Sequence, residues 1–480
     1  MILRHTLLYT AVKFFPALAS VVALMVFTRL MTPGQFGEYS LTVTVAATLV
    51  AILANFLVIG LGRFEPALRS DEEKAALHST VLTTALLLSF GVAVAILLLA
   101  ILNILPNLSI NYFFLAVLFQ VSVLLMLSQK LINANLLPNK YGISLALKNI
   151  LLLVIGAIGL LLGLGTYAVL ASLALASLFA SLPAVSLWAK TSFKLFDFET
   201  LRKLWAYGAP LTLLYLFVMI ISFSDRIFID VMLGSSEVGL YSAGYDLTQY
   251  TIGIVASIIH LAAFPIILKT YESDGEEKTR ALLATSYKIL FLLMVPVTFG
   301  FIASQNEIAQ IFLGSAFSST AIVLMPVLAL SVLLSTVKSY YFDYTFQLTK
   351  TTWLQTIPPL IAAVLNCILN YFFILEFGLS GAAYATLASF AIYLLATIYL
   401  SGKVFELPQF PWAFSFKVCV AGLVMAFSIN MLPDTLLAMP LLILKVLCGV
   451  VFYCLLTLFF LRKELISLLK TFNETVSIEK

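Results

Sequence analysis

This sequence predicts an all-α integral membrane fold of about fourteen spanning helices. Composition, the length of its apolar blocks and the placement of its positive charges predict it. Of 480 residues, 62% are hydrophobic and only 10% charged, against roughly a quarter charged in a soluble domain. Too few polar side chains are present to cover a surface facing water. The apolar residues come in blocks of about twenty, the length that crosses about 30 Å of hydrocarbon as a helix. Helices are expected because lipid offers no partner to free backbone N–H and C=O groups.

The blocks fall at about 7–31, 39–61, 77–104, 111–131, 142–163, 166–189, 206–232, 238–268, 282–303, 317–345, 353–375, 379–400, 412–431 and 438–461, each bounded by charged, Pro/Gly or Asn-rich breaks. The first lacks a small-residue cleavage site and reads as a span, not a signal peptide. Cys367, Cys419, Cys448 and Cys454 lie inside blocks without metal-ligand spacing, so neither a disulfide framework nor a zinc site is expected. No G-x-x-x-x-G-K-[ST] loop occurs, which excludes an ATP-driven pump acting alone. No connection is long enough for a catalytic domain, so a membrane polysaccharide polymerase or ligase fits poorly and no enzyme is expected.

The N-terminus and every second connection carry nineteen Lys and Arg, among them Lys190, Lys194, Arg202 and Lys203, while the alternate connections contribute only Arg29. The positive-inside rule then places both termini in the cytoplasm and makes the span count even. The longest breaks, 62–76 and 268–281, read as solvated cytoplasmic linkers.

An internal repeat is legible. Gly37, Tyr39 and Ser40 align with Gly239, Tyr241 and Ser242 at an offset of 202; Leu137-Pro-Asn-Lys140 stands opposite Gln347-Leu-Thr-Lys350, and Gly163-Leu164 opposite Gly378-Leu379. Three matches in order argue for a duplicated six-helix unit. Six is even, so the copies run parallel about an axis along the membrane normal. Residues 1–195 and 196–405 are the expected repeats, and 406–480 adds two helices and a cytoplasmic tail.

The segments Thr28-Arg-Leu-Met-Thr-Pro-Gly-Gln-Phe-Gly-Glu-Tyr-Ser40, Ser224-Asp-Arg-Ile-Phe-Ile-Asp-Val-Met-Leu-Gly234 with Val238-Gly-Leu-Tyr-Ser-Ala-Gly244, and Phe377-Gly-Leu-Ser-Gly-Ala-Ala-Tyr-Ala-Thr386 resemble the polysaccharide-synthesis (O-antigen and capsule repeat-unit) flippases. These belong to the multidrug/oligosaccharidyl-lipid/polysaccharide exporter superfamily. The resemblance implies two six-helix bundles forming a V around a central cavity. It also implies transport of an undecaprenyl-diphosphate-linked oligosaccharide across a bacterial cytoplasmic membrane, for lipopolysaccharide or capsule. A cation-coupled multidrug antiporter of the same superfamily is the alternative. The partners expected are the lipid-linked oligosaccharide, membrane lipids and glycan polymerase machinery, with no nucleic acid. No cofactor is expected beyond a coupling Na⁺ or H⁺.

Ionisable residues inside spans cost a few kcal/mol and so mark cavities or partners. Arg226 is the first candidate for a diphosphate, because a guanidinium grips phosphate oxygens in a fork and stays charged; an i, i+4 pair with Asp230 is the competing reading. Lys338, Lys148 and Lys13 are further candidates for substrate contact, with snorkelling the competing reading for Lys13. Asp246, Asp343 and Asp225 are the acids able to serve an ion or proton, a Lys338–Asp343 salt bridge being the alternative for Asp343. Lys288, Lys417 and Lys445 read as snorkelling lysines, and His260 as a packing residue. Seven cations against four acids within the spans favour an anionic cargo.

Overall fold

The computed structural model describes residue 16 and residues 18–103, 108–351, 353–433 and 436–466. Among these the chain is helical, with no strand. The helices are α1 (Leu18–Leu30), α2 (Pro33–Leu53), α3 (Asn55–Phe64), α4 (Asp71–Ile101), α5 (Tyr112–Ala134), α6 (Pro138–Leu161), α7 (Gly165–Ser181), α8 (Phe198–Leu233), α9 (Ser235–Asp274), α10 (Glu276–Ala303), α11 (Gln305–Phe312), α12 (Ser315–Val337), α13 (Asp343–Leu348), α14 (Ile357–Phe377), α15 (Leu379–Val404), α16 (Trp412–Asn430) and α17 (Ala438–Phe460). Thirteen helices among the described residues are long and apolar enough to cross a membrane, and the shorter α1 stands where the first span is expected. The fold class is that predicted, all-α with about fourteen spanning helices.

Local sequence sets the helix starts. Thr32 and Gln35 form a capping box ahead of Pro33 at the start of α2, and Ser70 and Glu73 form another at α4; each satisfies two otherwise orphaned N–H groups. Asp197 accepts from the Glu199 and Thr200 amides and opens α8. These hydrogen bonds, that from the Thr200 hydroxyl foremost, hold its carboxyl below the usual carboxylate range.

The 268–281 linker proves to be helix almost throughout. α9 continues to Asp274, and only Gly275, at φ +83°, breaks it from α10; glycine takes that left-handed conformation at little cost. At 40 and 36 residues and 1.5 Å per residue, α9 and α8 are roughly twice as long as the hydrocarbon core is thick.

The chain forms two compact units, residues 1–243 with 359–386, and residues 244–358 with 387–480. In the first, Leu57, Leu61, Leu77, Val81, Phe119, Leu127, Leu131 and Leu204 join α3, α4, α5 and α8 in one core. In the second, the core is aromatic: Tyr287, Tyr341, Phe342, Tyr344 and Phe405 are buried together. α16 packs on α10 through Val295, Phe414 and Val418.

Within the first unit the two motifs aligned at an offset of 202 touch each other. Ser40 donates to Ser242 at 2.8 Å between hydroxyls. A Cβ on Gly37 would strike the Ser235 carbonyl, and one on Gly239 would strike that of Pro33. Glycine is required at both positions because backbone meets backbone there.

Candidate functional site

Two buried polar clusters stand out, one in each unit. In the first, α8 presents Ser224, Asp225, Arg226 and Asp230. Successive helical residues point about 100° apart, so neighbouring Asp225 and Arg226 meet different surroundings. Asp225 is completely buried. Its carboxylate accepts hydrogen bonds from the Tyr241 hydroxyl (2.6 Å), the Thr386 hydroxyl (2.6 Å) and the Asn370 amide (2.9 Å). Asn370 also donates to Asn366 Oδ1 at 3.0 Å, which accepts from the Ser224 hydroxyl at 2.7 Å. Asn366 and Asn370, four apart on α14, present one polar stripe within the apolar run Ile357–Leu375. The Asn370 Oδ1 and Asn366 Nδ2 atoms are buried without a hydrogen-bond partner.

Arg226 donates from Nη1 to Thr44 Oγ1 at 2.8 Å and lies 5.3 Å from the Phe223 ring centroid. Asp230, read from sequence as a candidate partner for Arg226, accepts from the Ser109 amide at 2.7 Å.

In the second unit, α12 passes into a π-helical turn, Lys338–Phe342, before α13. Such turns are rare and frequent at functional sites. The turn brings together two residues assigned separate roles from sequence: Lys338 Nζ lies 2.7 Å from the Asp343 carboxylate, with both side chains buried. The ammonium also sits 3.9 Å from the Tyr393 ring centroid, within cation–π range. Nearby, the His260 ring stacks on Tyr340 at 4.7 Å, and its Nδ1 is hydrogen-bonded to the Tyr344 hydroxyl at 2.7 Å.

Lys148 is half-buried on α6 and forms no ion pair among the described residues. Asp246 is half-buried on α9. Lys13 lies outside the described residues.

Sequence reasoning missed several groups. Lys445 does not snorkel: it is buried on α17 and paired at 2.7 Å with Glu307, which the short helix α11 carries. Glu307 is the one charged residue of the connection 304–316, and that was the available signal. Lys417 pairs with Glu464 at 3.0 Å. Glu65, inside the expected 62–76 linker, is only 2% exposed. It is bonded by His78 Nε2 at 2.7 Å and by the Asn135 amide at 3.0 Å. Burial raises its carboxyl, but the bonds from His78 and Asn135 outweigh this and hold it below the ordinary value. Beside Lys445, a cavity of about 680 Å³ is lined mostly by apolar side chains, including Leu292, Pro296, Met425, Val446 and Tyr453.

The comparisons with known proteins agree with this architecture. Residues 2–271 match a family described as polysaccharide biosynthesis protein. A curated relative, the probable low-salt glycan biosynthesis flippase Agl15 of Haloferax volcanii, is 28% identical over 242 residues, which are 50% of this chain and 51% of the relative. The chain thus matches about half the length of that relative. Among solved structures, the lipid II flippase MurJ in an inward closed conformation aligns with a TM-score of 0.80 at 17% identity, over 96% of this chain and 100% of that one. An inward-facing multidrug resistance MATE family transporter of the MOP superfamily aligns with a TM-score of 0.68 at 15% identity, over 81% and 94%. At these identities the structures establish the fold, and the family match covers more than half of the sequence. The chain is a multi-pass membrane protein and belongs to the polysaccharide biosynthesis protein family.

Proposed function

We propose that this protein is a flippase that carries a lipid-linked glycan across the cytoplasmic membrane for surface polysaccharide synthesis. The cargo is an undecaprenyl-diphosphate-linked oligosaccharide, as the sequence resemblance implies, and the named activities of Agl15 and MurJ support this class. Repeats 1–195 and 196–405 alternate access around a central cavity, with both termini in the cytoplasm. Arg226, with Lys338, Lys148 and Lys13, meets the diphosphate. The apolar cavity beside α17 suits part of the polyprenyl chain.

The observation that carries the coupled-transport reading is the Asp225 cluster. A fully buried carboxylate held by hydroxyl and amide groups, with amide atoms left over, is a donor set suited to a hard cation. Asp225, the Thr386 hydroxyl and the Asn366 and Asn370 amide oxygens would hold Na⁺ if the hydroxyl and the Asn370 amide rotate their lone pairs inward. Protonation of the Asp225 carboxylate is the alternative form of coupling, with Asp246 the next acid in line. The multidrug antiporter reading shares the fold, but Asp343, one of its two candidate acids, is tied to Lys338.

The test is reconstitution of the full chain in liposomes with a fluorescent lipid-diphosphate glycan, with and without Na⁺ and H⁺ gradients. Gradient-dependent movement of the glycan, lost in Asp225→Asn and in Arg226→Gln, is the expected result. Transport of cationic drugs with no movement of the glycan overturns the reading.

A further inference from the structure

Residues 182–197, which connect α7 to α8, are fastened along α4 and α5. The Trp188 indole donates to the Ser128 hydroxyl at 3.3 Å and meets the His78 ring edge-on at 5.4 Å. Lys190 pairs with Asp71 at 2.6 Å. The Ser192 amide donates to the Ser79 hydroxyl at 3.0 Å, and the Asp197 amide to Thr80 Oγ1 at 3.0 Å. Between these last two anchors Phe193–Leu195 forms a single 3₁₀ turn.

A backbone pinned in this way turns its other face outward. Phe193, Phe198 and Trp205 are 70%, 71% and 58% exposed, and Leu195 and Phe196 are exposed beside them. Four cations interleave with these rings. Lys190 and Lys203 are already matched by Asp71 and Glu199, whereas Lys194 and Arg202, both exposed, form no ion pair among the described residues. Exposed aromatic rings on a fixed turn at the foot of a spanning helix suit the membrane–water interface, where ring and polar edge are both satisfied. Two cations outside any ion pair among the described residues complement an anionic headgroup.

We propose that residues 190–205 form a docking ledge for acidic phospholipid headgroups of the cytoplasmic leaflet, with Lys194 and Arg202 on the phosphate and Phe193, Phe198 and Trp205 seated among the upper acyl carbons. The proposal rests on the charge-based reading that this end faces the cytoplasm, and it needs no particular cargo.

The full chain is placed in nanodiscs of phosphatidylcholine alone or with phosphatidylglycerol, either lipid being brominated. The reading is the part of the tryptophan emission that disappears in Trp205→Phe. Brominated phosphatidylglycerol is expected to quench it well beyond brominated phosphatidylcholine at equal mole fraction, with the excess falling at high salt. Two cations near the surface are worth about 1 kcal/mol each, so Lys194→Gln/Arg202→Gln lowers the apparent affinity for phosphatidylglycerol about tenfold or more. Lys269→Gln, outside the ledge, leaves it unchanged. Equal quenching by the two lipids, or full selectivity in the double variant, overturns the proposal. Weak quenching by either lipid also overturns it and points to a protein partner on this face.

Discussion

Asp225 of the first unit and the carboxylates Asp343 and Glu307 of the second are stabilised in opposite ways. In the first unit the Asp225 carboxylate is satisfied by neutral dipoles from Tyr241, Thr386 and Asn370. In the second, Lys338 meets Asp343 and Lys445 meets Glu307, each at 2.7 Å. Dipoles can turn while the carboxylate keeps its charge, so a cation can enter without an ion pair being broken. A closed ion pair has no such freedom, because separating it leaves a charge uncompensated at low dielectric. The first arrangement suits exchange. The second suits architecture, unless an anionic ligand replaces the carboxylate.

The strongest way to break this contrast is at Asp225. Asp225→Ala removes an acceptor shared by three buried donors. The Asn370 amide and the Thr386 hydroxyl keep a second acceptor in Asn366 Oδ1 and the Ala382 carbonyl. Each donor left short costs about 1–3 kcal/mol, so the variant is expected to abolish transport and reduce folded yield. Asp225→Asn keeps the shape and removes the charge. It is expected to remain folded, with its melting temperature insensitive to Na⁺ where the unmodified protein gains stability from the ion. A melting temperature that responds to Na⁺ equally in both would remove the cation site.

The ion pairs are probed by single and double replacement. Lys445→Met or Glu307→Met alone is expected to cost about 3–5 kcal/mol, and the double apolar variant to recover most of it, read as thermal half-life in detergent. The same cycle at Lys338 and Asp343 sharpens the comparison. If Lys338 also grips the cargo, the double variant there is stable but inactive, whereas the Lys445/Glu307 double variant is stable and active. Activity in both would make the two pairs equally structural.

Next in size is the contact between the repeated motifs. Gly37→Ala sets a methyl group against the Ser235 carbonyl and is expected to destabilise the first unit. In a background lacking the four native cysteines, Ser40→Cys with Ser242→Cys is expected to form a disulfide that arrests transport until it is reduced. Uninterrupted transport with the bond formed would show that these motifs stay together throughout the cycle.

Much of the fold was legible because hydrophobic length is a local property: each span needs only its own twenty residues. Asp225, Arg226 and Lys338 stood out as charges among apolar neighbours for the same reason. Their partners did not, because partnership is non-local. Nothing near residue 225 announces Thr386, 161 positions away, and Glu307 was passed over as part of a connection because α11 is too short to read as a span. Lys445 then looked like a snorkelling lysine for want of its acid. Asn366 and Asn370 carried a readable signal, two amides four residues apart inside an apolar block.

Glu65 extends the comparison to the connection between α3 and α4, where a carboxylate draws on a dipole, from Asn135, and on an imidazole ring, from His78. Its folded-state value lies below the ordinary glutamate value of about 4.5. A depressed carboxyl contributes stability that is present above the unfolded value and lost as pH falls through the folded one. Below about pH 4.5 the unmodified protein is therefore expected to lose thermal half-life with a component that Glu65→Gln lacks, the variant starting lower at pH 7 and declining less steeply. This is the smallest of the effects, because one partly compensated carboxylate is involved. Parallel pH profiles for the two proteins would mean that burial cancels the bonds from His78 and Asn135.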